Sequence, residues 1–172
     1  MPRVDVSGIL AEAQRLRGFP ANAKQATKRA VGTLARRLPV EARRDIQNEY
    51  ALPANRITQD LSAKTEDSAV VLTGYARPVG LIEFGGRWAG RKSQGATARV
   101  FVAEGQHNYG GTFIARLKNG NKQIVDRTTK KRLPLKTLYG PSVASMLRKG
   151  QRESRLADLA QDVLSAEIAR LL

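Results

Sequence analysis

The chain has 172 residues, which is enough for one domain with its own core and short for two. It contains no cysteine, which excludes disulfides and thiolate metal sites, and no apolar run approaches the length of a membrane span. The N-terminus lacks the apolar block that follows a basic start in secretory signals, so we expect no such signal.

The chain is strongly basic, with 30 Lys and Arg against 15 Asp and Glu. Residues 90–149 hold thirteen basic residues against Glu104 and Asp126, whereas residues 151–172 are slightly acidic. A charge of this sign favours polyanionic partners such as nucleic acid, an acidic protein surface or anionic lipid. The alternative is that the excess merely keeps the surface solvated.

Apolar residues at helical spacing predict helices in the N-terminal part. The first covers residues 5–17 and ends at Gly18, a natural stop. The second covers residues 22–38, with a stripe of mostly small residues and a basic stripe on the other side. Pro39 is expected to break it and to open a third helix that ends near Pro53. The basic stripe either holds DNA or an acidic partner, or is the solvated face of an amphipathic helix.

The pattern then changes from helical to strand-like. A short helix is predicted over residues 53–61, followed by a Val- and Thr-rich strand over residues 68–75. Residues 79–84 fit either a strand or a short helix. A further strand is predicted over residues 97–103, because apolar residues alternate there. The alternation places Ala98, Val100 and Val102 on one face and Thr97, Arg99 and Phe101 on the other.

Residues 85–96 are glycine-rich and basic and predict an exposed loop. Part of this loop comes close to a phosphate-binding P-loop. In that motif Lys directly follows the second Gly, so that the backbone amides and the ammonium converge on the phosphates. Here Arg91 stands between Gly90 and Lys92, and no parallel α/β pattern surrounds the segment. We therefore do not expect nucleotide hydrolysis.

No group of residues in the sequence predicts catalysis. His107 is the only histidine and has no nucleophile signature near it, which also excludes a site of several His ligands. Glu83, Glu104 and Asp126 are the carboxylates of the predicted sheet region, and each is better explained as a salt-bridge partner. We expect no enzymatic activity, no cofactor and no metal.

The strongest pattern lies in residues 111–143. Residues 112–117 and 122–128 predict a β-hairpin, because Asn119-Gly120-Asn121 supplies the left-handed backbone of a tight turn. A second, basic turn follows at Lys130-Lys131-Arg132, and then the apolar segment Leu133-Pro134-Leu135.

The C-terminal part predicts two helices. Tyr139-Gly140-Pro141-Ser142 breaks the chain before a short helix over residues 141–149. Pro141 is expected in its first turn, where the missing N–H costs nothing. A hinge at Gly150 leads to a last helix over residues 153–172, whose broad apolar face is expected to pack on the sheet.

Candidate contact residues lie in the basic middle of the chain. Aromatic residues among Lys and Arg, such as Trp88, Tyr109 and Tyr139, can stack on bases, but no known nucleic-acid module is present. If DNA is contacted, we expect phosphate contacts without sequence reading. The candidate contacts to a partner or a DNA channel are Arg87, Arg91, Lys92, Lys130, Lys131 and Arg132. The candidate interface or core anchors are Phe113, Tyr139 and Pro141.

The hairpin stretch also carries a family resemblance. Phe-Ile-Ala-Arg, a Gly turn, Val-Asp-Arg, Lys-Lys-Arg, Leu-Pro-Leu-Lys and Leu-Tyr-Gly-Pro-Ser-Val together resemble the signature of the phage minor tail protein Z family. The resemblance is best over residues 111–147 and weaker over residues 23–61. It implies a structural virion protein, assembled in the host cytoplasm, that forms a ring around the DNA channel at the head-proximal end of the tail.

The same resemblance implies partners and leaves alternatives open. The implied partners are further copies of the chain and the tail terminator, tail tube or neck connector proteins, with possible nonspecific contact to packaged DNA and no membrane. A tail-terminator role remains possible beside tail completion. The alternative from another class is a stand-alone basic nucleic-acid-binding protein without sequence specificity.

From the residues and the resemblance together we expect a single α+β domain. Its parts are N-terminal helices over residues 1–62, a mainly antiparallel β-sheet over residues 68–139, and C-terminal helices over residues 141–172, with the last helix packed on the sheet.

Overall fold

The computed structural model describes residues 3–4, 21–66, 69–90, 94–131 and 133–170. The predicted helix over residues 5–17 lies outside the described residues. Within them the fold is α+β, as predicted. The helices are α1 (Ala21–Glu49), α2 (Ala54–Gln59), α3 (Val143–Arg148) and α4 (Arg152–Ala169). The strands are β1 (Arg3–Val4), β2 (Leu61–Glu66), β3 (Ala69–Gly74), β4 (Pro78–Gly80), β5 (Arg87–Trp88), β6 (Ala96–Ala98), β7 (His107–Tyr109), β8 (Phe113–Arg116), β9 (Lys122–Arg127), β10 (Leu135–Thr137) and β11 (Tyr139–Ser142).

Helix α1 continues through Pro39, so the predicted break at this residue is wrong. A proline inside a helix removes a hydrogen bond and costs about 3 kcal/mol. Burial offsets this cost, because the apolar positions recur every four residues on both sides of the proline. Leu34, Leu38 and Ile46 are fully buried on this one face. The core therefore needs a continuous helix here.

The C-terminal helix packs mainly on α1, which corrects the predicted packing on the sheet. Its buried residues belong to the same hydrophobic core as those of α1. They are Leu156, Ala160, Val163 and Leu164. The apolar face was predicted correctly, but periodicity alone does not say which element covers it.

Within the described ranges the β part forms four small antiparallel sheets rather than one. Strand β3 lies between β1 and β2, and β6 lies between β5 and β7. Strand β9 lies between β8 and β10, and β4 pairs with β11. The sequence did not predict β2, whose pairing with β3 runs from Leu61↔Gly74 to Glu66↔Ala69. The undecided residues 79–84 contain the end of β4 and a 3₁₀ turn at Leu81–Glu83.

The predicted hairpin over residues 112–128 is confirmed. Strands β8 and β9 pair from Phe113↔Val125 to Arg116↔Lys122. Gly120 has φ 81°, in the left-handed region that this turn needs. The basic turn then leads to β10, which pairs with the other side of β9 at Leu135↔Arg127.

Two details of the predicted pattern are wrong. Pro141 lies in β11 and not in a helical turn, because α3 begins only at Val143 and Ser142 is its N-cap. The Ser142 hydroxyl accepts a hydrogen bond from the backbone N–H of Ser145 at 3.3 Å. In the predicted strand 97–103 only the part up to Ala98 is a strand, and the predicted alternation fails beyond it, because Val100 and Phe101 both pack against the core. The Phe101 ring lies 5.1 Å from that of Tyr50, whereas Val102 is 38% exposed.

Candidate interaction surfaces

The structure describes three of the six predicted contact residues. Arg87 is exposed on β5, a strand that contacts β8 of the hairpin sheet. Lys130 and Lys131 are exposed in the turn between β9 and β10. Arg91, Lys92 and Arg132 lie outside the described residues. Arg87 therefore lies on a strand beside the hairpin sheet, and the two lysines lie beyond the end of β9.

The predicted anchors differ from one another in exposure. Phe113 is half-buried, and the Arg127 guanidinium lies over its ring at 5.1 Å from the centroid. Pro141 is half-buried in β11. Tyr139 is 57% exposed, so its ring is not part of the core and is accessible to a partner.

Strands β8 to β10 and their turns carry a dense positive charge, and we call this surface the cationic sheet. Residues 112–138 contain eight Lys and Arg and one acidic residue, Asp126, which lies opposite Lys136 in the strand pairing. Exposed cations of the cationic sheet are Arg116, Lys118, Lys122, Arg127, Lys130, Lys131 and Lys136. Among the residues described, none of these seven forms an ion pair. Their charges are available to an anionic partner.

The outer face of α4 has the opposite sign. Asp158 and Asp162, which are four residues apart, are exposed there, and neither has an ion-pair partner in the described part of the chain. We call these two residues the acidic face of α4. The helix makes its main contacts with α1 and α3, away from the cationic sheet.

A fully buried carboxylate lies where α2 joins β2. Asp60 has no exposed surface, and its Oδ2 lies 2.7 Å from Nη1 of Arg56. Its Oδ1 accepts a second hydrogen bond from Nη2 of Arg77. Two hydrogen bonds also fix the position of the Asp60 backbone. Its N–H donates to the carbonyl of Ile57 at 3.0 Å, and its carbonyl accepts from the N–H of Tyr75 at 2.8 Å. One buried acid thus orients two arginines.

The two arginines line an open groove with a volume of about 560 Å³, which we call the Asp60 groove. This volume is within the range of ligand-binding pockets. The lining residues are Asn55, Arg56, Gln59, Arg77, Pro78, Gly80, Ile82, Glu83, Asn121, Lys122, Gln123 and Tyr139. Sequence reasoning missed this groove. The one local signal is the four-residue spacing of Arg56 and Asp60, which suits an ion pair on a helix.

A second ionic cluster joins the end of α1 to the kink between α3 and α4. The Arg152 side chain is 2% exposed, and its Nη1 donates to the carbonyls of Met146 at 2.8 Å and Lys149 at 2.5 Å. Its Nη2 donates to the Glu49 carboxylate. Gly150, with φ 73°, forms the predicted hinge.

The charges of this cluster stabilise one another. The hydrogen bond from Arg152 lowers the pKa of the Glu49 carboxyl, and the hydrogen bond to Glu49 raises the pKa of the Lys149 ammonium. Burial raises the pKa of the adjacent Tyr50 hydroxyl. The arrangement favours the charged forms of Glu49 and Lys149, which suits a structural ion-pair cluster.

The described residues contain no group of three or more His, Asp or Glu side chains placed to hold a metal ion. Within the same ranges no helix has the length and apolar character needed to cross a membrane.

Comparison with protein families identifies the chain as a structural protein of a phage tail. The model described as prophage minor tail protein Z (GPZ) matches residues 8–172. The match covers nearly the whole chain, so the chain belongs to this family, and the resemblance seen in the hairpin stretch is confirmed. Comparison with curated proteins gave no match, and comparison with solved structures gave none either.

Proposed function

We propose that the chain is a ring subunit at the head-proximal end of a phage tail. There it completes the tail and helps to join it to the neck connector, and its role is structural and not enzymatic. Family membership supports a tail protein. The separation of charge between the cationic sheet and the acidic face of α4 supports the ring and carries the proposal.

A closed ring of identical subunits requires two different, complementary patches on each subunit. The cationic sheet contacts the 3₁₀ turn at Leu81–Glu83 and β5, whereas α4 packs on α1 and α3. Since the two charged surfaces lie on different elements, the cationic sheet of one copy can meet the acidic face of α4 on the next. Charge complementarity of this kind sets register and excludes wrong partners.

Neighbouring tail proteins are the proposed axial partners, namely the terminator, the tail tube or the connector. Lys130 and Lys131 project in an exposed turn and are the proposed contacts to an acidic neighbour. Contact with packaged DNA is limited to phosphates and is weak at physiological salt.

The position of the chain is tested by electron cryomicroscopy of tails from the phage that encodes it. We expect a ring of density at the head-proximal end into which the described helices and sheets fit. Density at the distal end, or absence of the chain from purified tails and particles, contradicts the proposal. In the case of absence, DNA titrations at several salt concentrations test the nucleic-acid-binding alternative, which predicts a steep salt dependence.

The basic turn is tested by changing Lys130, Lys131 and Arg132 together to Glu. We expect unjoined heads and tails and a fall in infectious titre of about tenfold or more, since like charges across an interface cost several kcal/mol. Micrographs and plaque counts from complemented phage measure both effects.

A matched control changes three exposed cations elsewhere, Lys64, Arg148 and Arg170, to Glu. It has the same net charge as the turn variant and is expected to join normally. If the turn variant joins heads to tails normally, or if the control shows an equal defect, the basic turn has no specific role in joining.

A further inference from the structure

We infer that the Asp60 groove binds a short, extended acidic segment of a partner protein. The site is formed by α2, β4 and the end of the hairpin that carries Lys122. This inference depends neither on the ring nor on the position of the chain along the tail.

The two arginines of the groove are oriented before any partner arrives. Each guanidinium has five N–H donors in a rigid plane, and Asp60 accepts one hydrogen bond from each arginine. The remaining donors are available to carboxylate oxygens. Arg77 has 70% of its side chain exposed, whereas Arg56 has 16% exposed. Because the buried acid holds both side chains, less side-chain entropy is lost on binding than for free arginines.

The charge of the lining suits a carboxylate ligand of lower charge density than DNA. Lys122 is exposed and adds a third cation, with no ion-pair partner among the described residues. Glu83 is the one carboxylate of the lining. DNA carries about one charge per 1.7 Å, so its phosphates would approach the Glu83 carboxylate as well as the cations. An extended acidic peptide carries at most one charge per residue, about one per 3.3 Å, which reduces this repulsion.

The uncharged part of the lining suits a peptide backbone. Four side-chain amides face the groove, and each can both donate and accept hydrogen bonds, as backbone N–H and C=O groups require. They belong to Asn55, Gln59, Asn121 and Gln123. The exposed ring of Tyr139 adds an amphipathic surface of the kind enriched at protein interfaces.

The size of the groove favours an extended segment over a helix. A helix with its side chains is about 10 Å across, so a volume of about 560 Å³ holds only roughly 7 Å of it, little more than one turn. The acidic face of α4 on a second copy is therefore a poor fit. We assign the groove to an extended acidic segment from another protein of the tail.

The test uses the full chain and a fluorescein-labelled hexaglutamate peptide, with fluorescence anisotropy at about 0.15 M salt to limit long-range attraction. Hexaglutamine and a DNA duplex are the comparison ligands. The groove variant carries Arg77→Gln and Lys122→Gln, both at exposed positions. The matched control carries Lys64→Gln and Arg148→Gln, which remove the same charge from outside the groove lining.

We expect hexaglutamate to bind the wild-type chain saturably and hexaglutamine not to bind. The groove variant should raise the Kd for hexaglutamate about tenfold or more, because two charge-assisted contacts are lost. The control should change it less than about twofold. Arg77→Lys, which keeps the charge but loses the planar fork, should weaken binding by an intermediate factor.

Three results overturn the inference. Equal weakening in the groove variant and the control means that hexaglutamate responds only to the overall charge. Weakened DNA binding with unchanged peptide binding assigns the groove to nucleic acid. Self-association of the wild-type chain that is lost in Arg77→Gln, which leaves the cationic sheet unchanged, assigns the groove to a second copy when measured by sedimentation. None of these results bears on whether electron micrographs show a ring at the head-proximal end of the tail. This inference and the proposed function can therefore fail separately.

Discussion

The two arginine–carboxylate clusters of the protein are built in opposite ways. In the cluster at the end of α1, the cation Arg152 is buried and its acids, Asp45 and Glu49, are partly exposed. In the Asp60 groove the acid is buried, and Arg77 is the exposed partner. The buried member of each cluster forms hydrogen bonds to at least two groups inside the fold. The exposed member is the one that can contact a partner.

The surroundings explain why one cluster is closed and the other open. Arg152 donates to the carbonyls of Met146 and Lys149 at the end of α3, where the Met146 carbonyl also accepts from the backbone N–H of Lys149. Its Nη2 donates to Glu49, so both terminal nitrogens of the guanidinium are used inside the fold, and Nε lies 3.7 Å from the Asp45 carboxylate. Asp60 uses its two oxygens on two arginines, which leaves most arginine donors available to a ligand. The first cluster stabilises the fold, and the second presents charge.

The largest expected effect on the free energy of unfolding is that of Arg152→Met. It removes the Arg152 donor from two carbonyls at the end of α3 and from the Glu49 carboxylate, which keeps Lys149 at 3.2 Å, and we expect a loss of about 3 kcal/mol in the free energy of unfolding. Urea denaturation measures this loss. Arg152→Lys keeps the charge but cannot reach all acceptors, and should lose less. A loss below about 1 kcal/mol for Arg152→Met would show that this cluster is not structural.

A smaller loss, about 2 kcal/mol, is expected for Asp60→Asn by the same measurement. The two arginines lose their shared charge partner, but Arg77 is largely exposed and can turn to water. Glu83→Gln is the control, because Glu83 lines the same groove, and its effect should stay within about 0.5 kcal/mol. If Asp60→Asn costs as much as Arg152→Met, the difference between the clusters is not one of exposure.

The smallest effect concerns pH and Glu49. The hydrogen bond from Arg152 lowers the pKa of Glu49 below its ordinary value of 4.5, so the fold favours the charged form. The resulting stabilisation is complete above pH 4.5 and is lost as the pH falls through the lowered pKa of the folded state.

We compare the free energy of unfolding of the wild type with that of Glu49→Gln at about pH 6 and about pH 3. The advantage of the wild type should shrink at the lower pH by about half a kcal/mol, a small amount because Glu49 is partly exposed. If the advantage of the wild type is equal at both pH values, the pKa of Glu49 is not lowered in the folded state. The advantage should be smaller when Arg152 is replaced by Met, because Lys149 then remains as the cation beside Glu49.

The two clusters also show how far the sequence alone could predict the site. Lys130 and Lys131 were predicted as exposed cations, because a basic run in a turn is exposed wherever the strands pack. The Asp60 groove could not be predicted, since Arg77 is seventeen residues from Asp60 and reaches it only after β2 pairs with β3. Arg152 and Glu49 are 103 residues apart, so their pairing also depends on the packing of α4 on α1.

The sequence by itself determined the α+β class, the hairpin with its turn at Gly120, the apolar face of the last helix and the basic middle of the chain. These features follow from local periodicity, turn chemistry and charge, which act between neighbouring residues. Only the tertiary structure decided that α1 continues through Pro39, that Pro141 lies in a strand, and that α4 packs on α1. At Pro39, burial of the apolar face of α1 outweighs the local preference for a break. At Pro141, the pairing of β11 with β4 decides, and for α4 the periodicity leaves open which element covers the apolar face.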